Sequence, residues 1–123
     1  MPKHLLLIED EPNIIEAISF ILSRDGWSVR AHSDGTNAVE TASRLKPDVI
    51  ILDVMLPGKS GYDILREIRE EPDISGIPVL MLTARGQTKD RELAEKAGAS
   101  RFMTKPFSNA DVVEAVRALA LQP

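Results

Sequence analysis

Cysteine is absent from the 123 residues, which excludes disulfide frameworks, cysteine-based zinc sites and thiol catalysis. Long apolar runs are absent too. Leu5 to Ile8 is too short for a signal-peptide core and runs directly into acids. Nothing approaches the roughly 20 apolar residues of a membrane-spanning helix. No stripe rich in lysine or arginine occurs, and a formal net charge of -4 argues against nonspecific nucleic-acid binding. There is no linker, low-complexity tract or internal repeat. With 43% hydrophobic and 28% charged residues, the composition is that of a soluble globular protein. One domain over 1–123, in the cytoplasm, is the expectation.

What is present is a regular alternation. Leu5-Leu6-Leu7-Ile8 and Val49-Ile50-Ile51-Leu52 are short, unbroken apolar runs bounded by turn residues, the pattern of strands buried on both faces. Trp27 to Ala31 reads as a more polar strand nearer a sheet edge, Pro78 to Leu82 as a fourth strand, and Ser100 to Met103 as a short fifth. Between them lie helical patterns. The first runs from Asn13 to about Arg24, opened by Pro12 and stopped at Asp25-Gly26. A second opens at Ser33-Asp34-Gly35 and runs to about Lys46; a third, capped by Ser60, runs from Gly61 to about Glu70. A fourth spans about Thr88 to Ala97, and a fifth, capped by Ser108, reaches about Leu121. Strand and helix alternate five times, which predicts a parallel sheet covered by helices on both sides.

Open parallel sheets place their ligand sites at the carboxyl ends of the strands. In this topology that edge collects Glu9 and Asp10 after the first strand, Asp53 after the third, Thr83 after the fourth and Lys105 after the fifth. Taken singly, each has a plain structural reading. Asp53 can cap a turn before Pro57 and Gly58, Glu9 to Glu11 can serve a helix N-terminus, Thr83 can end a strand and Lys105 can be a solvated charge. Taken together they demand more. Clustered carboxylates repel one another and call for a cation. Oxygen ligands with no His or Cys select a hard ion, foremost Mg²⁺. A carboxylate, a divalent cation, a lysine and a hydroxyl suit transfer of a phosphoryl group onto the carboxylate.

The stretches LLLIEDEP (Leu5 to Pro12), VIILDVMLPGKSG (Val49 to Gly61), PVLMLTA (Pro78 to Ala84), GAS (Gly98 to Ser100) and TKPF (Thr104 to Phe107) resemble the receiver domains of bacterial two-component response regulators, a likeness that covers essentially the whole chain. The resemblance implies a flavodoxin-like, doubly wound sheet in the order 2-1-3-4-5, an order the chemotaxis receiver exemplifies. It also implies roles. Asp53 would accept the phosphoryl group from a histidine kinase or phosphotransfer protein, so the chain would be a phosphoacceptor switch and not a turnover enzyme. Asp10 and Asp53, with the backbone carbonyl of Met55 and with Glu9 directly or through water, would hold Mg²⁺. Thr83 and Lys105 would contact phosphoryl oxygens, and Phe102 would stand at the aromatic switch position, where a hydroxyl-bearing Tyr is frequent. Glu9 departs from the commoner Asp, lengthening the arm toward the metal. Output would pass through the face made by the fourth helix, fifth strand and last helix to an effector, with a phosphorylation-dependent homodimer as one form. The cognate kinase, the regulated process and any effector domain beyond Pro123 are not written in these residues.

Rival chemistries fit less well. A haloacid dehalogenase-type enzyme also phosphorylates an Asp at a strand end, but needs a second acid two residues on, where Met55 stands. A dinucleotide-binding domain needs a glycine-rich turn where Glu9-Asp10-Glu11-Pro12 stands. A degenerate receiver used only for interaction stays an alternative, although such a module has no need of the phosphorylation residues kept here. Two further expectations are local. The Lys105–Pro106 bond should be cis, with Pro12, Pro47, Pro57, Pro72 and Pro78 trans, because Lys105 must turn back across the sheet edge just before a helix begins at Ser108. On the first helix, Ile15 lies about 80° from the centre of the buried stripe at ~100° per residue; the resemblance implies a kinase docking on this helix beside the acceptor, so partial exposure of Ile15 is expected.

Overall fold

A computed structural model describes residues 3–83 and 88–121. Its elements are β1 (Lys3–Ile8), α1 (Pro12–Arg24), β2 (Trp27–His32), α2 (Ala38–Leu45), β3 (Val49–Asp53), α3 (Gly61–Glu70), β4 (Val79–Thr83), α4 (Thr88–Ala97), β5 (Arg101–Thr104) and α5 (Asn109–Ala120). All strand pairings are parallel, and the sheet order is β2-β1-β3-β4-β5. The more polar β2 is indeed an edge strand, and Ala84, expected beside the end of β4, lies outside the described residues.

The apolar runs are buried on both sides because their alternate residues feed two separate cores. Leu6, Ile8, Ile50, Leu52, Val79 and Met81 pack with residues of α2, α3 and α4, among them Ala42, Ile64, Leu65, Ile68 and Ala94. Leu5, Leu7, Val49, Ile51, Leu80 and Leu82 pack with Ile18 and Leu22 of α1 and Val112, Ala115, Val116 and Leu119 of α5. Fully burying one such side chain stabilises by about 1.5–3 kcal/mol, so the two layers together fix the strand register. That register sets Ile8 beside Leu52, Asp53 beside Leu82 and Thr83 beside Thr104, bringing the functional strand ends level.

Local chemistry fixes the helix starts. The Ser60 hydroxyl accepts the Asp63 N–H at 3.3 Å and the Ser108 hydroxyl accepts that of Asp111 at 3.1 Å, each satisfying an otherwise free helix donor. Gly61 is needed for close approach: a β-carbon there would overlap the Asp53 carbonyl oxygen and come within 2.8 Å of the Val54 Cα. The sequence expectation for α2 is corrected. The helix begins at Ala38, and residues 33–37 form a loop, because the Gly35 N–H bonds the Pro57 carbonyl at 2.9 Å and the Thr36 N–H bonds Asp34 Oδ1 at 2.8 Å. Asn37 then enters the helix in the left-handed region, at φ 63°. β5 runs one residue later than expected at each end, Arg101–Thr104, since the Ser100 hydroxyl is engaged by the Val79 N–H at 3.0 Å.

Arg69, near the end of α3, was not singled out by its sequence context. Its guanidinium donates to the carbonyls of Gly98 at 2.9 Å, Ser75 at 3.0 Å and Ile77 at 2.6 Å, and to the Ser100 hydroxyl at 3.2 Å. These bonds clamp the exits of α3 and α4 to the entries of β4 and β5. On α1, Ile15 is half-buried and Phe20 is 60% exposed, so the outer face of that helix carries apolar surface. The Lys105–Pro106 peptide is cis, and it is the only cis bond among the described residues, as expected. Among the described residues, no helix is long and apolar enough to cross a membrane.

Candidate functional site

The residues singled out at the strand ends meet at one place. Glu9, directly after β1, is fully buried. Its N–H donates to the His32 carbonyl at 3.1 Å, and its Oε2 accepts the N–H groups of Asp10 at 3.0 Å and Glu11 at 3.2 Å. These bonds aim the carboxylate back into the sheet edge. Asp53 ends β3 at 2% exposure, and its Oδ1 accepts the Met55 N–H at 3.3 Å. Asp10 is exposed beside them, and carboxylate oxygens of Glu9, Asp10 and Asp53 all lie within 4.8 Å of one another. Thr83 is buried at the end of β4, its hydroxyl reaching the Met103 carbonyl only at 3.5 Å.

Lys105 enters from the loop after β5. Its ammonium Nζ stands 3.1 Å from Glu9 Oε1, 3.3 Å from Asp53 Oδ2 and 3.3 Å from Glu11 Oε1. Burial lowers the proton affinity of this amine, but the carboxylates of Asp53 and Glu9 outweigh burial and hold its pKa above the ordinary lysine range. Glu9 moves in the opposite sense to most carboxylates. Burial, and after it the adjoining Asp53 carboxylate, push Glu9 up to about 7 against the pull of the Glu11 backbone and Lys105. Two negative groups so close cannot both ionise freely without more positive charge than one lysine supplies.

The donor set fits a divalent cation. Among the described residues, Glu9 Oε1 and Asp53 Oδ2 are buried without a hydrogen bond, although each lies within ion-pair distance of Lys105. Buried carboxylate oxygens are rarely left so. All candidate ligands are oxygens, which favours a hard ion such as Mg²⁺ over zinc or copper. Met55 follows Asp53 by two residues, with its N–H on Asp53 and its side chain 72% exposed at the mouth of the site. Phe102 stands further back on β5, half-buried against the core under α3 and α4, beside a cavity of about 240 Å³ that Ala94 and Ala99 also line. Glu11 is the residue that the sequence reading passed over, since an acid before Pro12 reads as a helix-start charge; its link to Lys105 spans 94 residues of chain.

The raised Glu9 pKa carries a sign. Without metal the folded protein keeps a proton that the unfolded chain has released, so stability falls as pH rises from about 4.5 to about 7. Glu9→Gln should abolish that fall and make the metal-free protein more stable than wild type at pH 8, by on the order of 2 kcal/mol. Mg²⁺ should stabilise the wild type more at pH 8 than at pH 5, because the ion takes the ionised carboxylate. Urea unfolding across this pH range, in chelator and in Mg²⁺, checks both; a flat wild-type profile in chelator contradicts the assignment.

Comparison with known proteins agrees with this geometry. The profile of the response regulator receiver domain matches residues 5–117. The transcriptional regulatory protein CseB of Streptomyces coelicolor is 43% identical over 116 residues, covering 94% of this chain and 48% of CseB. This chain thus spans about half the length of the curated relatives it matches. Among solved structures, the receiver domain of the sensor histidine kinase PA1611 from Pseudomonas aeruginosa, with a magnesium ion coordinated in its active-site cleft, superposes at TM-score 0.91 with 32% identity, covering 99% of this chain and 100% of that one. The BeF3-activated N-terminal receiver domain of Klebsiella pneumoniae RstA superposes at TM-score 0.90 with 28% identity, covering 98% and 100%. The topology, the strand-end acids and the match over most of the chain lead to one conclusion: the chain belongs to the response regulator receiver domain family of two-component signalling.

Proposed function

We propose that Asp53 is the phosphoacceptor of this receiver and that 1–123 works as one cytoplasmic switch domain. The observation that carries the reading is the state of the Asp53 carboxylate: buried, one oxygen held by the Met55 N–H, the other facing Lys105 and, among the described residues, without a hydrogen bond. That free oxygen is the nucleophile. It attacks phosphorus of a phosphohistidine on a histidine kinase or phosphotransfer protein; the P–O bond forms, the P–N bond breaks, and the imidazole leaves with its electron pair and takes up a proton. Glu9, Asp10, Asp53 and the Met55 carbonyl would hold Mg²⁺. Bound there, the ion supplies neutralisation of charge on the transferring oxygens. Lys105 exchanges its carboxylate partners for a phosphoryl oxygen, which a compact charge on a flexible stem permits. Thr83, whose hydroxyl makes a long bond to the Met103 carbonyl, turns toward another of those oxygens.

The output is conformational. The shift of Thr83 opens room beside Phe102, which has no hydroxyl and moves on packing alone, altering the face of α4, β5 and α5 that meets an effector or a second copy. The domain assists its own phosphorylation and slow dephosphorylation and is not a turnover enzyme. CseB is a transcriptional regulatory protein, and an effector of that kind is the output this reading favours.

The acceptor assignment predicts that wild type takes label from a small acyl phosphate in Mg²⁺ whereas Asp53→Asn does not; mass spectrometry or radiolabel reads the result, and equal labelling of the variant rules Asp53 out. The exposed side of α1 is the proposed kinase dock, with Ile15 on its margin. Ile15→Ala should then cost about 1 kcal/mol of interface energy, roughly a fivefold loss in phosphotransfer from the kinase, while acyl-phosphate labelling is unchanged. Unaltered kinase transfer removes Ile15 from the interface.

A further inference from the structure

The loop that follows the acceptor, residues 54–60, runs over open ground between β3 and α3. It holds Met55, whose N–H fixes Asp53 Oδ1 at 3.3 Å. Another loop, residues 33–37 between β2 and α2, leans against it. The Gly35 N–H donates to the Pro57 carbonyl at 2.9 Å, and Gly35 is buried. A β-carbon on Gly35 would overlap the Lys59 carbonyl oxygen and stand 2.7 Å from the Lys59 Cβ. The Thr36 hydroxyl oxygen lies 2.7 Å from where a β-carbon on Gly58 would be. The two loops are therefore packed together, through backbone at Gly35 and through the Thr36 side chain at Gly58.

The leaning loop is itself anchored to the other side of the acid site. Asp34 Oδ1 accepts the Thr36 N–H at 2.8 Å. His32 Nε2 lies 2.7 Å from the Thr36 carbonyl; a carbonyl only accepts, so that nitrogen carries the proton. The His32 carbonyl in turn accepts the Glu9 N–H at 3.1 Å. A continuous path of short contacts thus runs from Glu9, through His32, Thr36 and Gly35, to the loop that orients Asp53. Its links run through backbone groups and the His32 ring, not through the carboxylate oxygens of Glu9 or Asp53.

We propose that Gly35 is a positioning residue of this site: its backbone braces the loop of residues 54–60 at Pro57 and Lys59, and so sets the affinity of the acid cluster for a divalent cation. The inference rests on the proposed Mg²⁺ site but adds a residue that is not itself a ligand. Partners that orient metal ligands commonly carry 10- to 100-fold in affinity. Gly35 has an ordinary backbone angle, so an alanine there meets no backbone strain and reports the contact with Lys59 alone. Gly76 is the matched control, since its added β-carbon would meet nothing within 4 Å.

The experiment titrates Mg²⁺ alone into the ¹⁵N-labelled chain and follows the amide signals of Met55 and Gly61, with no phosphodonor present. Gly35→Ala should weaken Mg²⁺ binding roughly tenfold. In metal-free protein it should shift the amides of Met55, Leu56, Gly58 and Lys59, and the urea midpoint should stay well above working conditions. Gly76→Ala should bind as wild type does. If Gly35→Ala does not fold, Asp34→Ala decides: it releases the Thr36 N–H without adding bulk and should weaken Mg²⁺ binding in the same sense. A folded Gly35→Ala, or failing that a folded Asp34→Ala, that binds Mg²⁺ as tightly as wild type overturns the brace. A wild type that shows no Mg²⁺ titration overturns instead the metal site on which the brace depends, and the inference with it.

Discussion

One lysine among three carboxylates is the constraint on which this molecule turns. Lys105 is the positive charge that Glu9, Asp53 and Glu11 share, and two of those acids are buried. Removing a charge from water costs several kcal/mol even after relaxation, and like charges at this spacing add to the cost. A single ammonium offsets part of it, which is why Glu9 is driven toward its protonated form. Among the described residues the site is therefore short of positive charge at rest. On the proposed function, a divalent cation would relieve that shortage, an incoming phosphoryl group would then give Lys105 a new partner, and affinity for both would follow from the same imbalance.

The rest of the fold keeps that imbalance in place. Strands buried on both faces cannot slip by one residue without turning their core sets over, so the ends of β1, β3 and β4 stay level. Gly61 lets α3 start directly against the backbone of Asp53 and Val54, which leaves the acceptor no slack. On the other side, Arg69 ties the exits of α3 and α4 to the entries of β4 and β5, at the far end of the strands from the acids. The carboxyl edge collects the acids and Lys105, and the amino edge is tied down by Arg69.

Much of this was legible in order along the chain, for a physical reason. Apolar runs broken by an acid and a turn mark strand ends, and a parallel alternating topology leaves those ends at one edge; Glu9, Asp10, Asp53, Thr83 and Lys105 needed no more than that to be brought together. The family resemblance added the strand order and the roles. What the sequence did not disclose depends on contacts between distant loops. Glu11 reads as a helix-start acid until Lys105 is seen beside it, 94 residues on. Ser33-Asp34-Gly35 reads as a helix opening, yet the Gly35 N–H is diverted to Pro57 and α2 starts later, at Ala38. Arg69 looks like any charge on an amphipathic helix, and its carbonyl partners carry no side-chain signal at all.

The account stands most directly on the partner exchange of Lys105. A crystal structure of this chain with Mg²⁺ and beryllofluoride, a stable mimic of the phosphoryl group, measures it. The account predicts the beryllium atom on an Asp53 carboxylate oxygen, Lys105 Nζ within hydrogen-bond distance of a fluorine and withdrawn from Glu9, and the ion beside Glu9, Asp10 and Asp53. Beryllofluoride away from Asp53, or on Asp53 with Lys105 still seated on Glu9, contradicts it.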